Sequence, residues 1–300
     1  MDLELLETNS EYLNYNNEYL NYDEIPEWYK DNQYILTKYR DVDKGYLYYL
    51  KSILKIHNET MNIWTHLIGA MMFIGIGIYS NFHFDLKHYW SQYLCINVYL
   101  LSIFITFLFS SVMHIFYPKS REICKHLQKL DYIGINIQIF SSMATFIYYA
   151  FYCEKEIQIV YYILILVTGI LNTIITTLTI LTEYRYRWVR MTSFITCIVL
   201  FLVPIIHRSL LINKNVLEKN SFHEELIYFT ISTIIFIISL LVFAFRIPEK
   251  LSPGLFDICL HSHQIFHILV VIGSFILYMG FINVMNKDNS IIDILTIRQI

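Results

Sequence analysis

The stretch Ser262-His263-Gln264-Ile265-Phe266-His267-Ile268-Leu269-Val270-Val271 opens a long apolar run that continues to residue 285. His263 and His267 are four residues apart, so on a helix they lie one turn apart on the same side. A third histidine, His114, ends another apolar run in Ser110-Ser111-Val112-Met113-His114. Three imidazoles from two helices would form a metal site with an open fourth position, the arrangement of catalytic zinc. The sequence therefore predicts long apolar helices that carry a three-histidine metal site.

The composition of the chain is that of a membrane protein. Of 300 residues, 56% are hydrophobic and only 16% are charged, with a mean hydropathy of +0.45, whereas soluble domains have about 25% charged residues. The net charge of −3 offers no basic surface for a polyanion, and no nucleic-acid or phosphate-loop motif is present, so nucleic acid is excluded as a partner. The five cysteines have no CxxC spacing, which predicts free thiols.

Seven stretches are long enough, at about 20 residues each, to cross a hydrocarbon core of roughly 30 Å. They lie at 62–80, 91–113, 130–152, 157–181, 188–207, 226–246 and 261–285. The sequence therefore predicts an all-α integral membrane protein with a bundle of seven transmembrane helices. Only Glu154-Lys155-Glu156 separates the third stretch from the fourth, so a tight turn must join them; merging the two would leave six spans.

The basic residues predict the orientation of this bundle. Lysine and arginine are denser in the loops 114–129, 182–190 and 246–260 than in the loops and tail on the opposite side. Because basic residues concentrate in cytosolic loops, we expect a cytosolic N-terminus and an extracellular or lumenal C-terminus. The N-terminus lacks the order of a cleaved signal peptide, so the first span is expected to direct insertion.

The segments outside the spans differ in composition. Two tandem seven-residue units, Glu11 to Asn17 and Glu18 to Glu24, are rich in Asn and Tyr and predict disorder, with a docking motif as the alternative. Leu47, Leu50 and Leu54 recur at helical spacing and predict an interfacial helix. The predicted organisation is a largely disordered cytosolic arm at 1–44, a membrane domain at 45–286 with its interfacial helix at 45–57, and an exoplasmic tail at 287–300.

The ionisable residues of the motifs converge at one membrane face in this topology; they are His57, Glu59, His114, Asp131, His263 and His267. Ionisable groups at this depth are costly unless they face the bundle interior and have partners, so their convergence indicates a functional site. Each also has a structural interpretation. Asp131 could simply complement a helix dipole, and Ser110, one turn before His114, could hydrogen-bond to its own helix.

Four separated segments resemble a known family. His57 to Gly69, Ser110 to His114, Lys129 to Gly134 and Ser262 to His267 are similar to the signature segments of the progestin and adipoQ receptor (PAQR) family. This family contains the adiponectin receptors and is related to the hemolysin III proteins. The similarity runs from about Gly45 to Gly280.

The resemblance implies a PAQR-type seven-helix domain with a zinc ion near the cytosolic face. By this resemblance, the zinc ligands are His114, His263 and His267, and Asp131 is the aspartate that holds the zinc-bound water. Ser110 matches the serine of the family motif. We therefore expect Zn²⁺ as the cofactor and Asp131 and Ser110 as the catalytic residues.

Adiponectin receptors, which this chain resembles, have ceramidase activity, so the expected function is zinc-dependent hydrolysis of lipid amides within the membrane. The expected substrate is a membrane lipid, most simply a sphingolipid amide, in the plasma membrane or an endomembrane. Two alternatives stay open: a receptor or signalling protein in which zinc is structural, and a hemolysin III-like protein that permeabilises membranes. The segments at 1–25 and 213–220 match no family segment, so protein partners are not predicted.

Other polar residues near these motifs have weaker signals. Glu59, Asn62 and His66 are spaced by three and four, so they share one helix face; we interpret that face as structural, tying the first span to the site or to its neighbours. His261 lies on a different helix face from His263 and is not expected to be a ligand. Asp257 is expected to cap the last helix.

Overall fold

In a computed structural model, the chain is described at residues 19–83, 90–178, 186–214 and 223–297. This part of the chain is helical, with a single isolated bridge between Leu20 and Tyr39 in place of any strand. Its α-helices, numbered in chain order, are α1 Tyr46–Ser52, α2 Thr60–His83, α3 Trp90–Phe116, α4 Arg121–Ala150, α5 Lys155–Thr177, α6 Arg187–Lys214, α7 His223–Phe245 and α8 Ser262–Ile297.

Six of these helices, namely α2, α3 and α5 to α8, are long and apolar enough to cross a membrane. The remaining long helix, α4, has 30 residues but carries charged side chains through its first three turns. Each of the seven predicted spans overlaps a helix of its own, although the last residues of the 157–181 span lie outside the described residues. The helices α4 and α5 are separate and are joined through residues 151–154. The predicted tail is helical as far as Ile297. The architecture is a multi-pass helical membrane protein.

Aromatic side chains fill the end of the bundle that lies away from the histidines. Tyr99, Phe146, Phe229 and Phe281 are fully buried in one cluster. The Phe146 ring meets Phe229 edge-on at 4.7 Å between centroids, a favourable geometry for two aromatic rings. This packing closes the bundle opposite the histidine end.

Gly134 lets α3 and α4 approach closely near the histidine end. A Cβ atom at Gly134 would lie 3.0 Å from the Thr106 Cα atom, a backbone atom that cannot move aside. The Thr106 hydroxyl donates a 2.7 Å hydrogen bond to the Gly134 carbonyl. Because the two helices run antiparallel, this contact places Asp131, one turn before Gly134, on the same side as Ser110, one turn after Thr106.

Residues 19–44, here called the strap, pack over the histidine end. The strap buries apolar residues against the ends of α3 and α4; the cluster comprises Ile25, Tyr29, Ile35, Tyr39, Met113, Tyr117 and Cys124. The strap is therefore packed, unlike the disorder predicted for most of the arm, while the first repeat unit lies outside the described residues. Its apolar residues follow neither a helical nor a strand period, so the sequence pattern did not reveal this packing.

The predicted interfacial helix is shorter than expected. The α-helix α1 covers only Tyr46–Ser52 and is followed by turns up to the start of α2. The leucines of the predicted apolar face are exposed: Leu47 and Leu50 on α1, and Leu54 in the turns that follow it.

Candidate metal centre

Three histidines come together at one end of the bundle. His114 lies in the last turn of α3, and His263 and His267 lie in the first two turns of α8. Their potential ligand atoms are all within 4.8 Å of one another. The ring centroids form a nearly equilateral triangle, with separations of 4.9, 5.0 and 4.7 Å. The structure thus places together all three histidines that the sequence predicted as ligands.

Neighbouring groups orient two of these rings through Nδ1. The Nδ1 atom of His114 donates to Glu59 Oε2 at 2.7 Å, and Nδ1 of His267 donates to the Asn62 carbonyl at 3.2 Å. Because a carboxylate and a carbonyl only accept hydrogen bonds, both Nδ1 atoms carry a proton. In a neutral imidazole of this tautomer, Nε2 keeps a free electron pair that can bind a metal ion. Hydrogen bonds of this kind fix histidine ligands in metal sites.

The arrangement fits a zinc ion. His114 Nε2 is buried and has no hydrogen-bond partner among the described residues, although such nitrogens are normally paired. It belongs to the three-histidine group, so a metal ion there would satisfy it. Three neutral imidazoles are a common zinc ligand set and leave the fourth tetrahedral position open.

Glu59 has a larger role than the sequence indicated. Burial alone would raise the pKa of its carboxyl group, but the adjacent His114 and a hydrogen bond from Asn62 hold that pKa well below its usual range. Asn62 Nδ2 donates to Glu59 Oε2 at 2.7 Å. The predicted polar face of α2 therefore does connect the first long helix to the site, through an ionised carboxylate.

His66, from the same face, is not one of the three clustered histidines. Its ring stacks on His267 with 3.6 Å between centroids and an interplanar angle of 3°, and its other side stacks on Phe107 at 4.6 Å. This sandwich holds the His267 ring in place. The contacts agree with the structural interpretation given to His66.

Asp131 and Ser110 line the same cavity as the three histidines. The Ser110 oxygen is buried without a hydrogen bond of ordinary geometry, although the Asp131 carboxylate lies close to it. Asp131 is also buried, at 9% exposure. The side chains of Asp131 and Ser110 face the three-histidine cluster and have spare hydrogen-bonding capacity. They are therefore available to bind a ligand or a water molecule.

The cavity extends from the histidines into the bundle and has a volume of about 190 Å³. Polar side chains lie near the histidine end, and Arg187 and Arg190 stand at its wall. Deeper in the bundle the walls are mainly apolar, and include Ile139, Met143, Phe201, Phe236 and Leu277. Such a shape suits a molecule with one polar end and a long apolar chain.

No sequence motif singles out Arg40 of the strap. Its guanidinium group is fully buried and donates to the carbonyls of His114 at 2.5 Å and Ile115 at 2.9 Å. These carbonyls end α3 and have no partner within the helix. Arg40 thus fixes the helix end that carries His114, across 74 residues of sequence.

Asp257 does not cap α8, so that expectation was wrong. Its two carboxylate oxygens accept hydrogen bonds from the backbone nitrogens of Leu36 and Thr37, at 2.9 and 2.8 Å, and thereby fasten the strap. Glu249 caps α8 instead, because its Oε2 accepts from the Ser262 nitrogen at 2.7 Å. Glu249 lies earlier than Asp257 in the loop before α8, so it is too far from Ser262 in sequence for a local capping pattern to reveal it.

Comparison with known proteins agrees with this geometry. The family model described as "Haemolysin-III related" matches residues 54–278. The chain is 33% identical over 263 residues to "Heptahelical transmembrane protein 1" of Arabidopsis thaliana, covering 84% of this chain and 76% of that protein. It is 30% identical over 256 residues to "Adiponectin receptor protein" of Drosophila melanogaster and over 257 residues to "Progestin and adipoQ receptor-like protein 1" of Caenorhabditis elegans.

Each of these two animal matches covers 85% of this chain but only 57% and 58% of the relative, so the chain spans little more than half the length of either. The family model matches well over half of the chain, and it includes all three clustered histidines, Asp131 and Ser110. The chain therefore belongs to the haemolysin III-related, or PAQR, family of multi-pass integral membrane proteins.

Proposed function

We propose that this protein is a zinc-dependent hydrolase of lipid amides, of the ceramidase type, with seven transmembrane helices and a cytosolic N-terminus. The observation that carries the proposal is the three-histidine cluster, with its free Nε2 atom, at the polar end of a largely apolar cavity. A soluble substrate would not need apolar walls of this depth, whereas an acyl chain would be stabilised by them. The word "heptahelical" in the name of the Arabidopsis relative supports seven spans.

The residues around the cluster have distinct roles in this proposal. His114, His263 and His267 would hold the zinc ion, which supplies Lewis acidity for activating water and polarising an amide carbonyl. Glu59 and the Asn62 carbonyl keep two of the rings in the ligand tautomer. They also hold those rings in a fixed direction before substrate arrives.

Asp131 accepts a proton from the attacking water and returns it to the leaving amine, which is general base and then general acid catalysis. Ser110 donates a hydrogen bond to the oxygen of the amide carbonyl as negative charge develops on it. Both side chains face the cavity and line it together with the histidines. The apolar part of the cavity binds the acyl chain and positions the amide bond.

A receptor function is the second candidate. The names of the fly and worm relatives contain the word "receptor". In that case the zinc ion would only hold α3 and α8 together. The two candidates differ in whether a water molecule is activated at the site.

The test is to measure metal content and ceramide hydrolysis on the same purified protein, for the wild type, His263→Ala and Asp131→Asn. The hydrolase proposal requires about one zinc per chain in the wild type, loss of zinc in His263→Ala, and retention of zinc without turnover in Asp131→Asn. His126→Ala is the matched control, because His126 is exposed on α4 and lies outside the cluster.

Zinc without hydrolysis of any lipid amide would favour the receptor candidate. A wild-type protein without metal would overturn both candidates. Leakage of a dye from vesicles that contain the protein would instead favour a permeabilising function.

A further inference from the structure

A second, smaller cavity lies beneath the strap, beside the histidine cluster. Its volume is about 40 Å³, and its walls include Tyr29, Asn32, Asn58, Glu59, His261 and His263. This space is here called the chamber. Asp31, Glu59, Tyr117, Phe243 and His263 line both the chamber and the large cavity. Only a layer of shared side chains therefore separates the chamber from the metal centre.

The chamber is more polar than the large cavity, and three buried atoms of its wall residues have no hydrogen-bond partner among the described residues. These atoms are the Tyr29 hydroxyl oxygen, Asn58 Oδ1 and His261 Nδ1. Asn58 is 3% exposed and His261 is 5% exposed, so bulk solvent does not satisfy them. Neighbouring contacts hold both residues in place, because the Asn58 carbonyl accepts from Gln264 Nε2 at 3.3 Å and faces His261 Nε2 at 3.4 Å.

Buried polar atoms without a protein partner are normally satisfied by ordered water. A polar cavity needs about 10–15 Å³ of free volume for each water molecule that it holds. The chamber therefore has room for on the order of three water molecules, each with polar atoms to bind. By contrast, deeper in the large cavity the walls become mainly apolar and suit a lipid chain.

Glu59 connects the chamber to the metal centre. Its Oε2 atom accepts from both Asn62 and His114. Its Oε1 atom has no hydrogen bond to any other described residue, and the carboxylate lines the chamber. One oxygen of Glu59 is thus committed to a histidine of the cluster, and the other is free to bind water.

We propose that the chamber is a hydrated antechamber, which holds ordered water beside the metal centre under the strap. Building on the proposed hydrolase function, the chamber supplies the water that is consumed, while the large cavity supplies the lipid amide. In each turnover the water oxygen bonds to the acyl carbon and the C–N bond breaks. One water proton goes to the amine, and the other stays with the carboxylic acid.

The experiment is hydroxyl-radical labelling by X-ray radiolysis, which modifies side chains next to bound water, on the full chain in lipid nanodiscs. Tyr29 lines the chamber and is 1% exposed, whereas Tyr49 is 0% exposed and lies away from it. Tyr46, which is 55% exposed, serves as the accessible standard. We expect Tyr29 to be labelled at a rate similar to Tyr46, and Tyr49 to be labelled far more slowly.

Asn58→Leu replaces a wall residue by an apolar side chain of similar size, and His261→Phe provides a second way to dry the chamber if the first variant folds poorly. Both should reduce labelling of Tyr29 to the level of Tyr49 and lower the turnover number without changing the zinc content. Equal labelling of Tyr29 and Tyr49 in the wild type would overturn the proposal. So would a second metal ion that is lost in Asn58→Leu, because the chamber would then be a cation site.

The same measurements separate this proposal from the proposed function. If Tyr29 is labelled and the wild type cleaves no lipid amide, the hydrated antechamber stands and the hydrolase function fails. If the wild type is active and both variants lose labelling but keep full turnover, the hydrolase function stands and the chamber does not supply its water.

Discussion

The Glu59 carboxylate accepts a 2.7 Å hydrogen bond from Nδ1 of His114, so the residue just before α2 determines which nitrogen of a histidine on α3 faces the metal centre. Asn62, one turn into α2, donates to the same carboxylate oxygen and holds it in position. Two of the signature segments, His57 to Gly69 and Ser110 to His114, are thereby joined in a single chain of hydrogen bonds. We therefore expect the metal affinity of the three-histidine cluster to depend on Glu59, which is not a member of that cluster.

Glu59→Gln should therefore weaken zinc binding. The amide removes the negative charge that favours the Nδ1–H form of His114, and loss of such a partner typically costs about 10–100-fold in metal affinity. Competition with a chromogenic chelator gives the dissociation constant directly. Glu122→Gln, on the exposed first turn of α4, is the matched control. An unchanged dissociation constant in Glu59→Gln would show that the hydrogen bond does not tune the site.

Ser110→Ala should lower the turnover number while leaving the zinc content unchanged. Removing one hydrogen-bond donor to a developing oxyanion typically costs about 10²–10³ in rate. Ser111→Ala is a close control, because the Ser111 hydroxyl is already bonded to the Phe107 carbonyl at 2.8 Å. Equal activity of the two variants in ceramide hydrolysis would assign Ser110 a structural role.

Much of the fold and the site could be predicted because their signals are local. The His263–His267 spacing places two imidazoles on one face of a single helix. The apolar runs predicted the seven long helices, although α4 begins at Arg121 and α8 continues to Ile297, well beyond their runs. Asp131 and Ser110 could be placed beside them because they lie at the ends of neighbouring runs. The assignment of their chemistry came from the family resemblance, since spacing alone left a structural role open for each.

The strap and its contacts could not be predicted because their partners are distant in sequence and follow no period. Asp257 binds Leu36 across 221 residues, and Arg40 binds the His114 carbonyl across 74. A pattern within one helix carries no information about such pairs. Glu59 was only partly recognised for the same reason: its helical face was evident, but its partner on α3 was not.

Arg40→Met should destabilise the protein and loosen the end of α3. The substitution leaves the His114 and Ile115 carbonyls buried without a donor, and loss of hydrogen bonds to a charged group typically costs about 3 kcal/mol in total. Thermal unfolding in detergent measures this loss. Arg121→Met, on an exposed arginine, is the control. A melting temperature equal to that of the wild type would contradict the capping role of Arg40.

Asp257→Ala should release the strap without unfolding the bundle. Three hydrogen bonds from Leu36 and Thr37 end at this carboxylate, so their backbone amides should exchange hydrogen faster with solvent. Hydrogen exchange followed by mass spectrometry reports this over the strap peptide. Peptides from α3 and α8 serve as internal references and should keep their protection. Unchanged exchange at residues 36 and 37 would show that other contacts hold the strap.

Acidification should destabilise the protein partly through His57, which precedes α2. Burial, followed by the positive charge of Arg40, lowers the pKa of His57 from 6.5 to about 3. Between these values the unfolded chain binds a proton that the folded protein excludes, so stability is lost as the pH falls below the unfolded pKa. At about pH 5 this single group costs about 2 kcal/mol.

The imidazole of His57 faces the Ser52 carbonyl and accepts a hydrogen bond from the Glu59 nitrogen. In His57→Gln the side-chain amide offers one donor and one acceptor for these contacts, but it does not titrate. The variant should therefore lose less stability than the wild type between neutral pH and about pH 5, as measured by thermal unfolding at each pH. His126→Gln, at an exposed histidine, should retain the full pH dependence. If His57→Gln and the wild type lose stability equally on acidification, His57 is not excluded from protonation in the folded protein.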